Sequence, residues 1–277
     1  MVSCVYSGND KYFNQIFLSA LSMAMHTKEA LQIYIVTIDC ETKRGKYLAI
    51  RDDQVAYLDE VLKKYNKESR AILLNINEVY YNNMPASCKN KNSVYTPYTL
   101  LRLFLNKLDN LPSKLIYIDT DTMVYNDINE LYSIDLANYE YAAVQDVVGH
   151  HFFGKKYCNA GVLLLNLDKI KETKLFEKCI DYVVNKRSFM PDQDAINYRT
   201  TSKLMLDRRF NEQRAIKPNT VIKHFCKIPK WFPYIHTINI KQTNRDGVHN
   251  ILKIHEFDDV FEVYDRLRLG HEELLFN

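Results

Sequence analysis

The residues best suited to chemistry stand together in LIYIDTDTMV, 115–124, where an apolar run ends on Asp119 and a second carboxylate, Asp121, follows Thr120. In extended backbone, residues two apart point to the same side, so both carboxylates could reach one hard cation such as Mg²⁺ or Mn²⁺. An added imidazole shifts the preference towards Mn²⁺, and His224, in VIKHFCKIPKW, is the candidate. Lys223, Lys227 and Lys230 surround it. Ammonium groups beside a cation site make sense when an anion such as pyrophosphate lies between them, with His224 on the metal and Lys230 on a phosphate. The bland alternatives are plain. D-x-D occurs again at Asp192–Asp194, Asp commonly ends a strand and caps the next helix, and a single His is ordinarily a hydrogen-bonded core or surface residue.

Other segments carry polar groups in apolar company. In YCNAGVLLLNL, 157–167, Asn159 and Gly161 precede a buried run; Ala160-Gly161 suits close strand packing, and equally a sugar resting against bare backbone. PDQDAIN, 191–197, reads as a helix start, with Gln193 held between two acids. Arg102 falls inside the apolar YTLLRLFL, where a charge needs a partner, either a structural carboxylate or a ligand.

The elements that would position these groups alternate. Strands are expected at Ser3–Tyr6, Leu31–Ile38, Ala71–Ile76, Lys114–Ile118, Tyr141–Val144 and Gly161–Leu167. Helices are expected at Tyr12–Met25, Asp52–Tyr65, Thr96–Leu108, Leu167–Asn185 and Gln193–Thr200. Such alternation implies an α/β fold with a largely parallel sheet covered on both faces, and ligands then sit at the carboxyl ends of the strands. Ser7 to Asp10, Asp119 to Asp121, and Asp146 all follow predicted strands, so they could line one crevice.

Seven Gly and seven Pro in 277 residues leave no material for a flexible linker, which favours one compact domain. The opening residues MVSCVYSGNDKYFNQ have neither a basic lead-in nor a long apolar stretch, so no signal peptide is expected. The six cysteines form no C-x-x-C pair and are expected as reduced thiols. The net charge is +3, but residues 199–245 carry a local balance of +9, so the remainder sums to −6. That basic stretch fits a solvated surface, a phosphate-bearing ligand, a nucleic acid or an anionic membrane.

In order and spacing, these segments resemble a retaining glycosyltransferase of family eight, the group that includes bacterial lipopolysaccharide galactosyl- and glucosyltransferases and glycogenin. The resemblance runs from residue 2 to about residue 231. It implies a GT-A fold, a Rossmann-like mixed and mostly parallel sheet flanked by helices, and a cytoplasmic enzyme that transfers glucose or galactose from a UDP-sugar with Mn²⁺ or Mg²⁺. It implies a metal on Asp119, Asp121 and His224, and uridine on Ser7, Asn9 and Tyr12, with the Tyr12 ring stacked on the base. Arg102, Thr120, Asp146, Asn159, Ala160 and Gly161 then meet donor sugar or phosphates, Lys230 the diphosphate, and Asp192 and Gln193 the anomeric carbon. Two departures stand out: Lys11 replaces a frequent Asn, and Lys227 replaces a Gly three residues after the His.

On this reading residues 1–235 are the nucleotide-sugar domain, and 236–277 are an extension packed on or flanking it. The partners are a UDP-hexose and a glycan or lipid-linked saccharide, with peripheral contact at the inner face of the membrane and no nucleic acid. Three other classes stand beside it, one being a sugar nucleotidyltransferase, which would need a Gly-rich, Arg/Lys-bearing loop after the first strand that the sequence lacks. A haloacid-dehalogenase-type phosphatase also places Asp-x-Asp after an apolar strand, but leaves His224 and Asn159-Ala160-Gly161 without a task. A non-catalytic nucleotide-sugar or nucleic-acid binder would use the basic stretch and the aromatic WFPY at 231–234.

Overall fold

A computed structural model describes residues 1–43, 45–90, 97–230, 234 and 236–275, the Lys230 side chain excepted. Its centre is a seven-stranded sheet in the order β10-β8-β9-β6-β1-β2-β5. Those strands are β1 (Val2–Ser7), β2 (Leu31–Thr37), β5 (Arg70–Asn75), β6 (Lys114–Ile118), β8 (Tyr141–Gln145), β9 (Cys158–Asn166) and β10 (Lys203–Leu206). Among the described residues, three small antiparallel pairs lie outside the sheet: β3 (Cys40–Thr42) with β4 (Gly45–Tyr47), β7 (Thr122–Val124) with β11 (Ile222–His224), and β12 (Ile228–Lys230) with β13 (His236–Ile238).

The sheet is parallel except at β9, which runs antiparallel to both β6 and β8. A wholly parallel order would have placed the start of β9 at the wrong end. Because β9 is reversed, its first residues lie beside the carboxyl ends of β6 and β8, with Cys158 opposite Gln145 and Val162 opposite Ile118.

Period-two alternation divides the core between the two faces. Val2, Cys4 and Tyr6 of β1 enter one cluster with Ile116 and Ile118. There they meet α1 (Phe13–His26), α2 (Asp52–Tyr65) and α10 (Asp258–Arg268). Val5, with Leu115 and Tyr117, enters the other, against an eleven-residue 3₁₀ helix (Pro97–Lys107), α6 (Leu167–Thr173), α7 (Leu175–Asn185) and α8 (Pro191–Arg199). The remaining helices are α3 (Asn77–Asn83), α4 (Asn129–Tyr132), α5 (Gly149–Phe153), α9 (Arg245–Asn250) and α11 (Glu272–Leu275).

Three sequence expectations need correction. The helix expected over 167–185 is two helices, broken where Lys174 adopts a left-handed conformation (φ 56°). The helix expected over 96–108 is of the tighter 3₁₀ type over 97–107. Asp119 and Asp121 do not share an extended strand: Thr120 and Asp121 form a turn between β6 and β7. All six cysteines are free, five of them buried. Among the described residues, no helix is long and apolar enough to cross a membrane.

Candidate active site

β6 ends at Ile118, and the next residue, Asp119, donates its N–H to the Gly161 carbonyl of β9 at 2.7 Å. The chain then turns into β7, which pairs with β11 so that His224 stands opposite Thr122. Phe225 N–H completes the junction by donating to the Asp121 carbonyl at 2.8 Å. This short ladder joins segments far apart in the chain and sets His224 Nε2 3.2 Å from Asp121 Oδ1. One ligand atom each from Asp119, Asp121 and His224 lies within 4.8 Å of the others. Two carboxylate oxygens and one imidazole nitrogen suit a divalent cation.

Gly161 faces this cluster as bare backbone. A Cβ there would stand 2.3 Å from His224 Cε1 and 2.8 Å from Asp119 Oδ2, closer than atoms can approach.

A buried relay fixes which nitrogen of His224 carries a proton. Asp146 can only accept, and its Oδ2 takes a hydrogen bond from Asn159 Nδ2 at 2.9 Å. Asn159 Oδ1 therefore points away and accepts from Gly161 N–H and from Asn211 Nδ2, both at 2.9 Å. Asn211 must then present its oxygen to His224 Nδ1, 3.0 Å away, so Nδ1 donates. In neutral imidazole the lone pair is left on Nε2, facing a carboxylate oxygen. Two acceptors at that separation repel, and a positive charge, whether proton or cation, resolves the conflict.

Arg102, almost wholly buried, organises the opposite side. Its guanidinium donates to Asp119 Oδ1 at 2.8 Å, pairs with Asp192 Oδ2 at 3.2 Å, donates to the Ala160 carbonyl, and lies 4.1 Å over the Tyr117 ring. Tyr117 gives its phenolic proton to Asp119 Oδ1 at 3.0 Å, so Ser7, 2.8 Å away, donates to the phenol oxygen. Asp119 Oδ1 is thus occupied and Oδ2 is left for the cluster centre. Burial raises the Asp192 carboxyl above its usual range, and Arg102 only partly offsets this. At Asp121 burial acts the same way, but the positive charge of the His224 ring when protonated, with that of the Lys241 ammonium, outweighs it and holds the carboxyl well below the usual range.

Gln193, at the start of α8, uses both ends of its amide within the protein. Its Oε1 accepts from Ala160 N–H at 3.0 Å and its Nε2 donates to Asp146 Oδ2 at 3.2 Å. Thr120 is half-buried and donates to Gln15. Asn9, fully buried after β1, accepts from Lys11 N–H, while its Nδ2 has no hydrogen-bond partner among the described residues. Tyr12 is half-buried, in the 3₁₀ turn Asp10–Tyr12. The structure thus joins Ser7, Arg102, Asp119, Asp121, Asp146, Asn159 to Gly161, Asp192, Gln193 and His224 in one network. Asn9 and Tyr12 stand at the carboxyl end of β1 and, among the described residues, make no hydrogen bond into it. The Lys230 side chain lies outside the described residues, as do Trp231 to Pro233.

Sequence reasoning missed Tyr117, Asn211 and Lys241. Tyr117 sits in a strand pattern that explains it as core. Asn211 and Lys241 act only through contacts made by folding, and their local sequence gives no signal for them.

The family model described as "Glycosyl transferase family 8" matches residues 3–236. The chain belongs to glycosyltransferase family 8. It is a glycosyltransferase, and the mostly parallel mixed sheet flanked by helices is the GT-A fold. A putative glycosyltransferase of Haemophilus influenzae is 26% identical over 250 residues, which cover 81% of this chain and 71% of that protein. Glycosyltransferase GlyA of Streptococcus pneumoniae is 27% identical over 177 residues, 64% of this chain but 22% of that longer protein. Among solved structures, the galactosyltransferase LgtC in complex with donor and acceptor sugar analogs superimposes with a TM-score of 0.61 at 18% identity, covering 94% of this chain and 100% of that one. Family membership replaces the phosphatase and non-catalytic alternatives.

Proposed function

We propose that this family 8 enzyme transfers a hexose, glucose or galactose, from a UDP-sugar to a hydroxyl group of a glycan, retaining anomeric configuration and requiring Mn²⁺ or Mg²⁺. One observation carries the reading: Asp119, Asp121 and His224 converge on the bare backbone of Gly161. The donor set fits a divalent cation, and the lone pair that the relay leaves on His224 Nε2 fits it independently.

A divalent cation bound there would act as a Lewis acid, neutralising charge that develops on a departing diphosphate. The protein's own part follows from its contacts. Arg102 and Tyr117 take one oxygen of Asp119 and turn the other to the centre. Asn211 orients His224. We assign the space beside Ala160 and Gly161 to the donor sugar, with Asp192, anchored by Arg102, and Gln193, anchored on Asp146, at its reacting face. Ser7, Asn9 and Tyr12 are assigned to uridine, Thr120 to the donor, and Lys230 to the diphosphate. The unpartnered Nδ2 of Asn9 supports a ligand contact at that end of β1.

The acceptor is assigned as a glycan or lipid-linked saccharide, with the basic stretch 199–245 suited to the inner face of a bacterial membrane. A thermal-shift panel tests the donor class. UDP-glucose or UDP-galactose should raise the melting temperature in the presence of Mn²⁺ and not in EDTA. Equal shifts with GDP-sugars, or shifts indifferent to metal, would overturn the proposal.

A further inference from the structure

Lys241 belongs to none of the motifs above, yet its ammonium is ion-paired with Asp121 Oδ2 and donates to the Phe225 carbonyl at 3.0 Å. The next residue, Gln242, is fully buried and donates to the Thr120 carbonyl at 2.6 Å. Ile240 packs against the Gly247 backbone at the start of α9. The segment after β13 is therefore fastened to the D-x-D turn at both Thr120 and Asp121.

Each acid of the pair carries a protein cation on one oxygen: Arg102 on Asp119 Oδ1, Lys241 on Asp121 Oδ2. The two cations are held very differently. Arg102 is 2% exposed and anchored as well to Asp192, Ala160 and the Tyr117 ring. The Lys241 side chain is 28% exposed and rests on one carboxylate and one carbonyl. The Lys241 ammonium is a point charge on a flexible stem, and held by these two contacts it can leave Asp121 where the many-anchored Arg102 stays on Asp119. Taking Arg102 and Lys241 with the three carboxylates they pair, Asp119, Asp121 and Asp192, this group carries a net charge of −1. A dication alone would reverse its sign; a dication arriving with a diphosphate would not.

We infer that Lys241 is a positioning residue that makes metal binding depend on the nucleotide. Without ligand it neutralises Asp121. A divalent cation on Asp121 repels the ammonium, and the released Lys241 is compensated only when a diphosphate is present to receive it. The inference rests on the metal site proposed above.

The test is calorimetric titration of the full chain with Mn²⁺, alone and with saturating UDP, for wild type, Lys241→Met and Lys241→Arg, with melting temperatures alongside. In wild type, UDP should tighten Mn²⁺ binding about tenfold or more, within the ordinary range of coupling between sites. In Lys241→Met, Mn²⁺ alone should bind several-fold tighter than to wild type, and the enhancement by UDP should fall below about threefold. Lys241→Arg should keep most of the enhancement. Unchanged or weaker Mn²⁺ binding to Lys241→Met without UDP, with the enhancement intact, would overturn the inference and leave the metal site standing. No Mn²⁺ binding to wild type in either condition would remove the metal site and the inference together. If Lys241→Met does not fold, amine labelling of wild type read by mass spectrometry asks the same question. Lys241 should label faster with Mn²⁺ than without ligand, and more slowly again when UDP is added; equal labelling in all three states would overturn it.

Discussion

Asp146 sets the tautomer of His224 without touching it. The signal passes through two amides, Asn159 and Asn211, each forced into one orientation by the acceptor before it. An acid at the carboxyl end of β8 thereby decides which nitrogen of a ring on β11 faces Asp121. Ligating histidines are commonly oriented in this way through their second nitrogen.

Breaking the relay should weaken the metal site while leaving every proposed ligand in place. Asn211→Leu removes the acceptor for His224 Nδ1 and the donor to Asn159. Mn²⁺ affinity should fall by roughly 10- to 100-fold, measured by titration in the presence of UDP. Stability should drop by about 1–3 kcal/mol for the buried groups left unpaired, measured by urea denaturation.

Gly161→Ala should be more damaging than its single methyl suggests. The added carbon meets the His224 ring and Asp119 Oδ2 together, and overpacking of this kind costs about 1–3 kcal/mol. His224 has to move away from Asp121, so Mn²⁺ binding should be lost at temperatures where circular dichroism still reports a folded chain.

Arg102→Met leaves Asp119 without its cation and strands Asp192, which is buried beside it. Removing one partner of a buried ion pair costs about 3–5 kcal/mol. Arg102→Lys should recover little, since one ammonium cannot serve Asp119, Asp192 and the Ala160 carbonyl at once. Chemical denaturation of the three proteins checks both statements.

Glu140 gives a pH prediction remote from the metal site. Its buried carboxylate accepts from Thr200 Oγ1, from Thr201 N–H and Oγ1, and from Ser202 N–H. Burial pushes its carboxyl up, but hydrogen bonds, first from Thr173 and then from Thr200, Ser202 and Thr201, outweigh burial and hold it below the usual value of 4.5. A carboxyl lowered on folding stabilises the protein fully above its unfolded value, and the contribution is lost as pH falls through the folded value. Melting temperature should therefore drop below about pH 4.5 more steeply in wild type than in Glu140→Gln, and the gap between the two should narrow as the pH falls.

The sheet was legible because hydrophobic periodicity reports burial directly: LQIYIVTI and KLIYI can be little else than strands. The direction of β9 was not, since VLLL reads the same whichever way it runs. The break at Lys174 was hidden because apolar spacing continues across it. Asp119 and Asp121 stood out as polar residues ending an apolar run, whereas His224 gained meaning beside them through a family pattern. Asn211 and Lys241 carried no local mark, because hydrogen bonds and ion pairs between distant segments impose no period on the sequence around them.

Asp119, Asp121 and His224 are proposed to share one cation. Titration of Mn²⁺ into the UDP-saturated protein tests it most directly. One ion should bind per chain and be lost alike in Asp119→Asn, Asp121→Asn and His224→Ala while each variant stays folded. Wild-type stoichiometry and affinity retained in any of the three would contradict it.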